Sequence, residues 1–200
     1  MPFLTDCNTL YPGSRKNALE HLTCAQLNGF WPMTTGCQVL IADGLRGTDE
    51  LEVPVPNGEY CKTAKIGRAI MDADIFISLT HFKGHEATGF GGAIKNIGMG
   101  CGSRAGKMEQ HSSGKPAVQE ELCRGCHRCA KECGSDAIRY NENNKAVIDY
   151  EKCKGCGRCI GACNFDAIYS IDSSANEELD RKMAEYAAAV CADRPCFHIS

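Results

Sequence analysis

The sequence has no long apolar run and no excess of positive charge. None of its hydrophobic segments approaches the roughly 18 to 20 consecutive apolar residues that span a bilayer. The first ten residues, MPFLTDCNTL, lack the basic start and the apolar core of an export signal. The net charge of -3 provides no basic field of the kind that attracts nucleic acid. We therefore expect a cytoplasmic chain whose partners include neither a membrane nor nucleic acid.

Cysteine, in contrast, is abundant, with 15 in 200 residues, which is far above ordinary usage. Eight of these cysteines form two runs with the same C-x2-C-x2-C-x3-C spacing. The runs are Cys123, Cys126, Cys129 and Cys133, followed by Cys153, Cys156, Cys159 and Cys163. Aligning CRGCHRCAKECGSDAIRY with CKGCGRCIGACNFDAIYS, which starts 30 residues later, matches nine of 18 positions. The two runs are therefore a duplication.

This spacing is typical of iron–sulfur ligands. Three thiolates placed two residues apart can surround one face of a cubane, and glycine between them lets backbone N–H groups approach its sulfurs. In the bacterial two-cluster arrangement the fourth cysteine of each run ligates the other cluster. We therefore predict two [4Fe–4S] clusters, with loading coupled to folding of the segment. The predicted ligands are Cys123, Cys126, Cys129 and Cys163 for cluster one, and Cys153, Cys156, Cys159 and Cys133 for cluster two.

Residues from about Ala117 to Asp172 resemble a bacterial two-[4Fe–4S] ferredoxin domain. Gly134 and Asn164 depart from that family, which usually has proline after the fourth cysteine of a run. Structural zinc prefers two separated C-x2-C pairs, and disulfides are typical of exported chains, so both alternatives are disfavoured. A radical-generating cluster would need a C-x3-C-x2-C order, which neither run has.

The charge of this segment indicates its partner. Residues 117–172 contain eight Lys or Arg and nine Asp or Glu, and two oxidised clusters with their thiolates would add about -2 each. We expect an acidic module that meets a redox partner through a basic docking face. Short apolar runs separated by polar turns, PAVQ, AIRY, KAVIDY and AIYSI, predict β-strands within it, with a hairpin at NENN.

The rest of the chain alternates between strand-like and helix-like segments, which is typical of a parallel α/β sheet. The predicted strands are PFLTD, QVLIAD, DIFISLT and PCFHIS, and helix-like composition covers residues 14–30 and 63–71. A last helix is predicted from a capping pair, Ser174 with Glu177, and from an apolar stripe. The stripe consists of Leu179, Met183, Tyr186 and Val190.

These patterns predict an α/β fold with a mostly parallel, incomplete sheet that is interrupted by an inserted α+β ferredoxin-like module. The expected divisions are residues 1–116 for the first α/β segment, 117–172 for the module, and 173–200 for the returning helix and strand. The polar stretch SRAGKMEQHSSGKP, residues 103–116, is interpreted as the linker into the module.

A glycine-rich stretch, residues 80–104, follows the strand DIFISLT, and ligands of open α/β sheets bind at such carboxyl ends of strands. Glycines at the start of a helix leave N–H groups open to an anion. We predict a small carboxylate or phosphate ligand here, with lysines supplying charge and a histidine a proton. The residues are His81, Lys83, His85, Glu86, Gly91, Gly92, Lys95 and Asn96. Glycine-rich turns are also common without any ligand, and this stretch is neither a Walker loop nor a dinucleotide fingerprint.

The segment HFKGHEATGFGGAIKNIGMGCGSR, placed before a two-cluster cysteine motif, resembles the uncharacterised iron–sulfur centre proteins that carry the domain of unknown function 362. The resemblance spans most of the chain and implies a longer α/β domain on both sides, so the chain is expected to be a fragment or a shortened version. It strengthens the site at His81 to Asn96 but implies no reaction.

Three functions remain open: electron transfer through two clusters, a redox enzyme that acts on a small anion at the glycine-rich segment, and a non-catalytic redox or oxygen sensor. Outside the two runs the cysteines are expected to be small buried hydrophobes. Cys101 is the exception to test, because it follows the glycine-rich stretch and could reach a ligand or a cluster. Phe30, Trp31, Tyr140, Phe165 and Tyr169 are expected in the core.

Overall fold

The computed structural model describes residues 1–11, 13–85, 88–112, 115–171 and 176–200. These residues form twelve short strands and eight helices, a mixed α/β protein built from two-stranded sheets. The strands are β1 (Phe3–Asp6), β2 (Gln38–Ile41), β3 (Glu50–Pro54), β4 (Thr63–Gly67), β5 (Phe76–Leu79), β6 (Lys83–His85), β7 (Gly89–Gly91), β8 (Pro116–Val118), β9 (Ile138–Tyr140), β10 (Ala146–Ile148), β11 (Ile168–Ser170) and β12 (Cys196–Ile199). The helices are α1 (Ala18–Leu27), α2 (Pro32–Thr35), α3 (Arg68–Met71), α4 (Ala93–Cys101), α5 (Arg104–Ser112), α6 (Arg128–Lys131), α7 (Arg158–Ala162) and α8 (Asn176–Cys191).

The four strands predicted outside the module are confirmed as β1, β2, β5 and β12. They form two separate parallel pairs, β1 with β2 and β5 with β12. The prediction of one mostly parallel sheet is not met, because β3 with β4 and β6 with β7 are antiparallel pairs between them. A parallel pair needs a long crossover such as α1, whereas the short connections here return the chain antiparallel.

Two sequence predictions need correction. Residues 63–71 were expected to be helical, but Thr63–Gly67 is the strand β4, whose alternate residues Ala64 and Ile66 are buried, and only α3 follows as a helix. The expected linker, residues 103–116, contains the helix α5 in place of a loop. Its buried Arg104, Lys107 and Gln110 explain the error, because polar composition alone suggests exposure.

One hydrophobic core lies between the strands and the helices α4 and α8. The predicted stripe of the last helix is confirmed, because all four of its side chains are buried; its expected cap, Ser174, lies outside the described residues. The backbones of α4 and α8 meet at Gly98, where a Cβ would overlap the carbonyl oxygen of Met183. Glycine there permits a close helix crossing.

The cysteine-rich segment has its own core and two antiparallel pairs, β8 with β11 and β9 with β10. The four predicted strands and the hairpin at residues 141–144 are confirmed. The expectation of core aromatics is wrong for Phe30, Trp31, Phe165 and Tyr169, which are 39 to 55% exposed. Tyr140 is partly buried against the core of the cysteine-rich segment. No helix within the described ranges is long and apolar enough to traverse a lipid bilayer.

Candidate metal centres

The first candidate centre is an opening of about 320 Å³ at the surface of the cysteine-rich segment. Its lining includes Cys123, Cys126, Cys129 and Cys163, together with Arg124, Arg128 and Tyr140. These four cysteines are the set predicted for cluster one. Cys163 comes from the second run, so the fold brings a distant thiol to the first three.

The second opening, of about 340 Å³, has the reciprocal composition. It is lined by Cys133, Cys153, Cys156 and Cys159, together with Lys154 and Arg158. These are the four cysteines predicted for cluster two, with Cys133 supplied by the first run. Ligation itself stays a prediction, but the crossed grouping of the eight thiols is a property of the fold.

The local backbone explains why three thiols of each run face one opening. Gly125 and His127 in the first run have φ of 60° and 61°, and Gly155 and Gly157 in the second have φ of 69° and 66°. A left-handed residue on each side of the middle cysteine turns the chain, so that the three side chains of a run can face one opening. Helices α6 and α7 begin directly after these loops.

The glycine-rich segment forms the hairpin β6–β7 and leads into α4, whose N-terminal cap is Gly92. Lys83 and Lys95 lie together beside Gly91, where a Cβ would be 4.0 Å from the Cγ of Lys83 and 3.8 Å from the Cδ of Lys95. Burial, and then the charge of Lys83, lower the pKa of Lys95. Two cations held next to a helix N-terminus are suited to an anion.

The other predicted residues of this segment are more dispersed. His81 is exposed, and the ring of His85 accepts a hydrogen bond of 3.3 Å from the backbone N–H of Thr88. Gly91 is buried, Asn96 lies on the exposed side of α4, and Glu86 lies outside the described residues. The structure thus brings together the two lysines and the helix N-terminus, whereas His81 and Asn96 are exposed.

Comparison with protein families matches residues 1–200 to the family described as "Domain of unknown function (DUF362)". The chain belongs to this family. A comparison with curated proteins found no match. The DUF362 description assigns neither a reaction nor a ligand, so function must be argued from the two openings.

In this DUF362 chain burial opposes the ionisation of two of the predicted ligand thiols. Burial, and then the neighbouring Cys156 and Cys153, raise the pKa of Cys159 to about 12. Burial also raises the pKa of Cys129. Because metals bind thiolates, loading must release protons from these groups. Cys133 differs, because hydrogen bonds from Ala137 and Ser135 lower its pKa despite partial burial.

Hydrogen-bond donors point at the sulfurs of three predicted ligands. The sequence analysis expected donors from the backbone between the cysteines and did not identify these. The Tyr140 hydroxyl lies 3.2 Å from the Sγ of Cys129, the N–H of Ala146 lies 3.4 Å from that of Cys123, and the N–H of Ala137 lies 3.3 Å from that of Cys133. Donors to sulfur stabilise a thiolate and a bound cluster. The repeated triplet Asp-Ala-Ile, which contains Ala137, was the sequence feature that could have pointed to the donor on Cys133.

The donor set fits an iron–sulfur cluster. Four thiols surround each opening, hydrogen-bond donors face several sulfurs, and every other charged side chain that lines an opening is basic. Among the residues that the structure describes, no three His, Cys, Asp or Glu side chains converge as ligands of a single metal ion. Cys101 lies in the core between the strands and helices, where its carbonyl accepts from the thiol of Cys7, and it does not line either opening.

Proposed function

We propose that the chain binds two [4Fe–4S] clusters in a ferredoxin-like module and transfers electrons between redox partners. The observation that supports the proposal is the grouping of the thiols: each opening is lined by all four cysteines of one predicted set. A [4Fe–4S] cluster, when bound, supplies one-electron redox chemistry at low potential. No substrate is needed for this function.

The protein's own residues have three roles in this proposal. The cysteines hold the clusters, and the donors on Cys123, Cys129 and Cys133 offset thiolate charge. The apolar core beneath the openings excludes water from the inner thiols. Cys126 and Cys156 are exposed, so the outer edge of each opening is accessible to a partner.

Anaerobic reconstitution tests the proposal. We expect about eight iron and eight sulfide per chain, and spin-coupled paramagnetic resonance signals after reduction. Cys126→Ala should remove one cluster and destabilise the module through the crossed ligation, while Cys24→Ala, a cysteine outside the runs, should leave the iron content unchanged. Full iron in Cys126→Ala, or one zinc per chain in the wild type, would overturn the assignment.

The partner is proposed to have a basic docking face, because the loaded module is acidic overall. The charged side chains that line the openings are basic. The carboxylates available to the partner therefore lie on the surrounding surface, at the exposed Glu120, Glu121, Glu142 and Glu151. Electron transfer to a basic partner should slow as salt increases, and a rate that rises with salt would contradict this proposal.

A second candidate function, a redox enzyme for a small anion, is supported by the pairing of Lys83 and Lys95 at the start of α4. Inorganic phosphate is the first probe. Lys95→Ala should abolish its binding and leave the iron content unchanged, and Lys131→Ala is an exposed lysine control. Unchanged phosphate binding in Lys95→Ala would refute the site. A redox or oxygen sensor would instead show rapid cluster loss in air without any ligand or partner.

A further inference from the structure

Arg104, in the helix α5, joins the first core to the cysteine-rich segment. Its side chain is completely buried. Its nitrogens donate to three backbone carbonyls, those of Arg46 at 3.0 Å, Thr9 at 3.3 Å and Lys16. Within the described part of the chain no carboxylate forms an ion pair with this guanidinium.

The guanidinium lies against one side of α7, next to the second opening. A Cβ at Gly157 would lie 2.8 Å from the Cγ of Arg104, and one at Gly161 would lie 2.9 Å from its Cζ. Cys159 lies in α7 between these two glycines. The positive charge is thus packed behind a predicted ligand of cluster two.

Comparison of the two cysteine runs shows that only the second run, residues 153–163, has glycines where Arg104 packs. The positions equivalent to Gly157 and Gly161 are His127 and Lys131 in the first copy. An imidazole and an ammonium there would fill the space that Arg104 occupies and repel its charge. The two glycines therefore form a groove for the guanidinium that the first copy lacks.

Other buried charges lie around Arg104. Lys16 and Lys107 are also buried at this junction. Lys16 pairs with Asp166 and donates to the carbonyl of Cys163 at 2.8 Å. The buried Asp43 lies near Arg104 at Gly47 but forms no ion pair with it. A buried charge without a paired opposite charge is costly, so an additional negative charge nearby would stabilise it.

We propose that Arg104 is the counter-ion of cluster two and raises its reduction potential above the value set by the ligands alone. The inference rests on the proposed binding of two clusters. Each oxidised cluster with its thiolates carries about -2. Uptake of an electron from a one-electron donor adds one more negative charge at the second opening, and the buried guanidinium offsets that charge in a low-dielectric environment.

The test is a redox titration of the reconstituted protein with dithionite, followed by paramagnetic resonance. In Arg104→Gln, one of the two midpoint potentials should fall while the other stays constant. We expect at least a tenfold decrease in the ratio of reduced to oxidised cluster at a fixed potential, which corresponds to about 59 mV for one electron. Arg104→Lys keeps the charge and should retain most of the wild-type midpoint. Arg181→Gln, at an exposed arginine of α8, should change neither midpoint.

Gly161→Ala provides an independent variant in case the Arg104→Gln protein does not bind its clusters on reconstitution. It keeps the charge but displaces the guanidinium from Cys159, so the same midpoint should fall by a smaller amount. Unchanged midpoints in a fully loaded Arg104→Gln or Gly161→Ala, or an equal fall of both, would overturn the counter-ion proposal and leave cluster binding intact. Absence of clusters from the wild type would instead refute the proposed function.

Discussion

At the scale of single residues, the carboxylate of Glu185 shows how one side chain can fix a loop. It accepts hydrogen bonds from the backbone N–H groups of Glu59 at 2.7 Å, Tyr60 at 3.0 Å and Cys61 at 2.6 Å. Slight burial opposes ionisation, but these three donors lower the pKa of Glu185 below its usual value. The loop 59–61 is thereby tied to α8.

Glu185→Gln should destabilise the protein by about 1 kcal/mol at neutral pH, since an amide oxygen accepts more weakly than a carboxylate and the site is partly screened by solvent. The depressed pKa means that this stabilisation is present above the pKa of the unfolded chain and is lost as pH falls through the folded value. Urea denaturation of both proteins at pH 7 and pH 3 measures it. A difference that persists undiminished at pH 3 would contradict the assignment.

At the scale of elements, the packing of α4 against α8 depends on a single glycine. Gly98 lies where the two backbones touch, whereas a Cβ at Gly100, two residues further along α4, would make only an ordinary 3.5 Å contact with Asp6. Because alanine has the better helix propensity, any loss of stability at position 98 must come from the crossing itself.

We expect Gly98→Ala to destabilise the protein by about 1 to 3 kcal/mol, as overpacking of a tight contact does, and Gly100→Ala to be neutral or slightly stabilising. Thermal unfolding of the two variants side by side checks the difference. Equal melting temperatures would show that the helices separate without cost, and that the close approach is not required.

Sequence patterns predicted the elements that are marked by apolar runs or by cysteine spacing. They failed where a buried helix has the polar composition of a loop. Apolar runs identified β1, β2, β5 and β12, and cysteine spacing grouped thiols that the fold brings together around two openings. The helix α5 was missed because its buried cations, Arg104 and Lys107, give it the composition of an exposed linker. No local signal reports that carbonyls from distant segments, such as Thr9 and Arg46, will satisfy such a cation.

At the scale of the whole molecule, the contacts of Arg104 and Lys16 link the cysteine-rich segment to the α/β strands. Arg104 and Lys16 connect the carbonyls of residues 9–16 and 46 to the segment that contains both openings. Cluster binding to the cysteine-rich segment should therefore also stabilise the loops that follow β1 and β2. A ligand stabilises the folded state of every segment whose folding is coupled to its binding site.

Hydrogen exchange of apo and reconstituted protein measures this coupling. Reconstitution should slow amide exchange at least tenfold in residues 9–16 and 43–47 as well as in 123–163. It should leave the pair β5 with β12, whose strands bond to each other and not to α5, nearly unchanged. Protection confined to residues 117–171 would show that the module loads independently of the remainder.

The groove at Gly157 and Gly161 has a consequence for how the duplicated halves can diverge. The first copy carries His127, stacked on Tyr140 with 3.8 Å between ring centroids, and Lys131 at its surface. Exchanging segments 123–133 and 153–163 would preserve all eight cysteines and their spacing, yet it would place an imidazole and an ammonium against Arg104. The two halves of the duplication are therefore no longer interchangeable. The helix of the second copy packs against Arg104 through its glycines, whereas the equivalent His127 and Lys131 of the first copy are exposed.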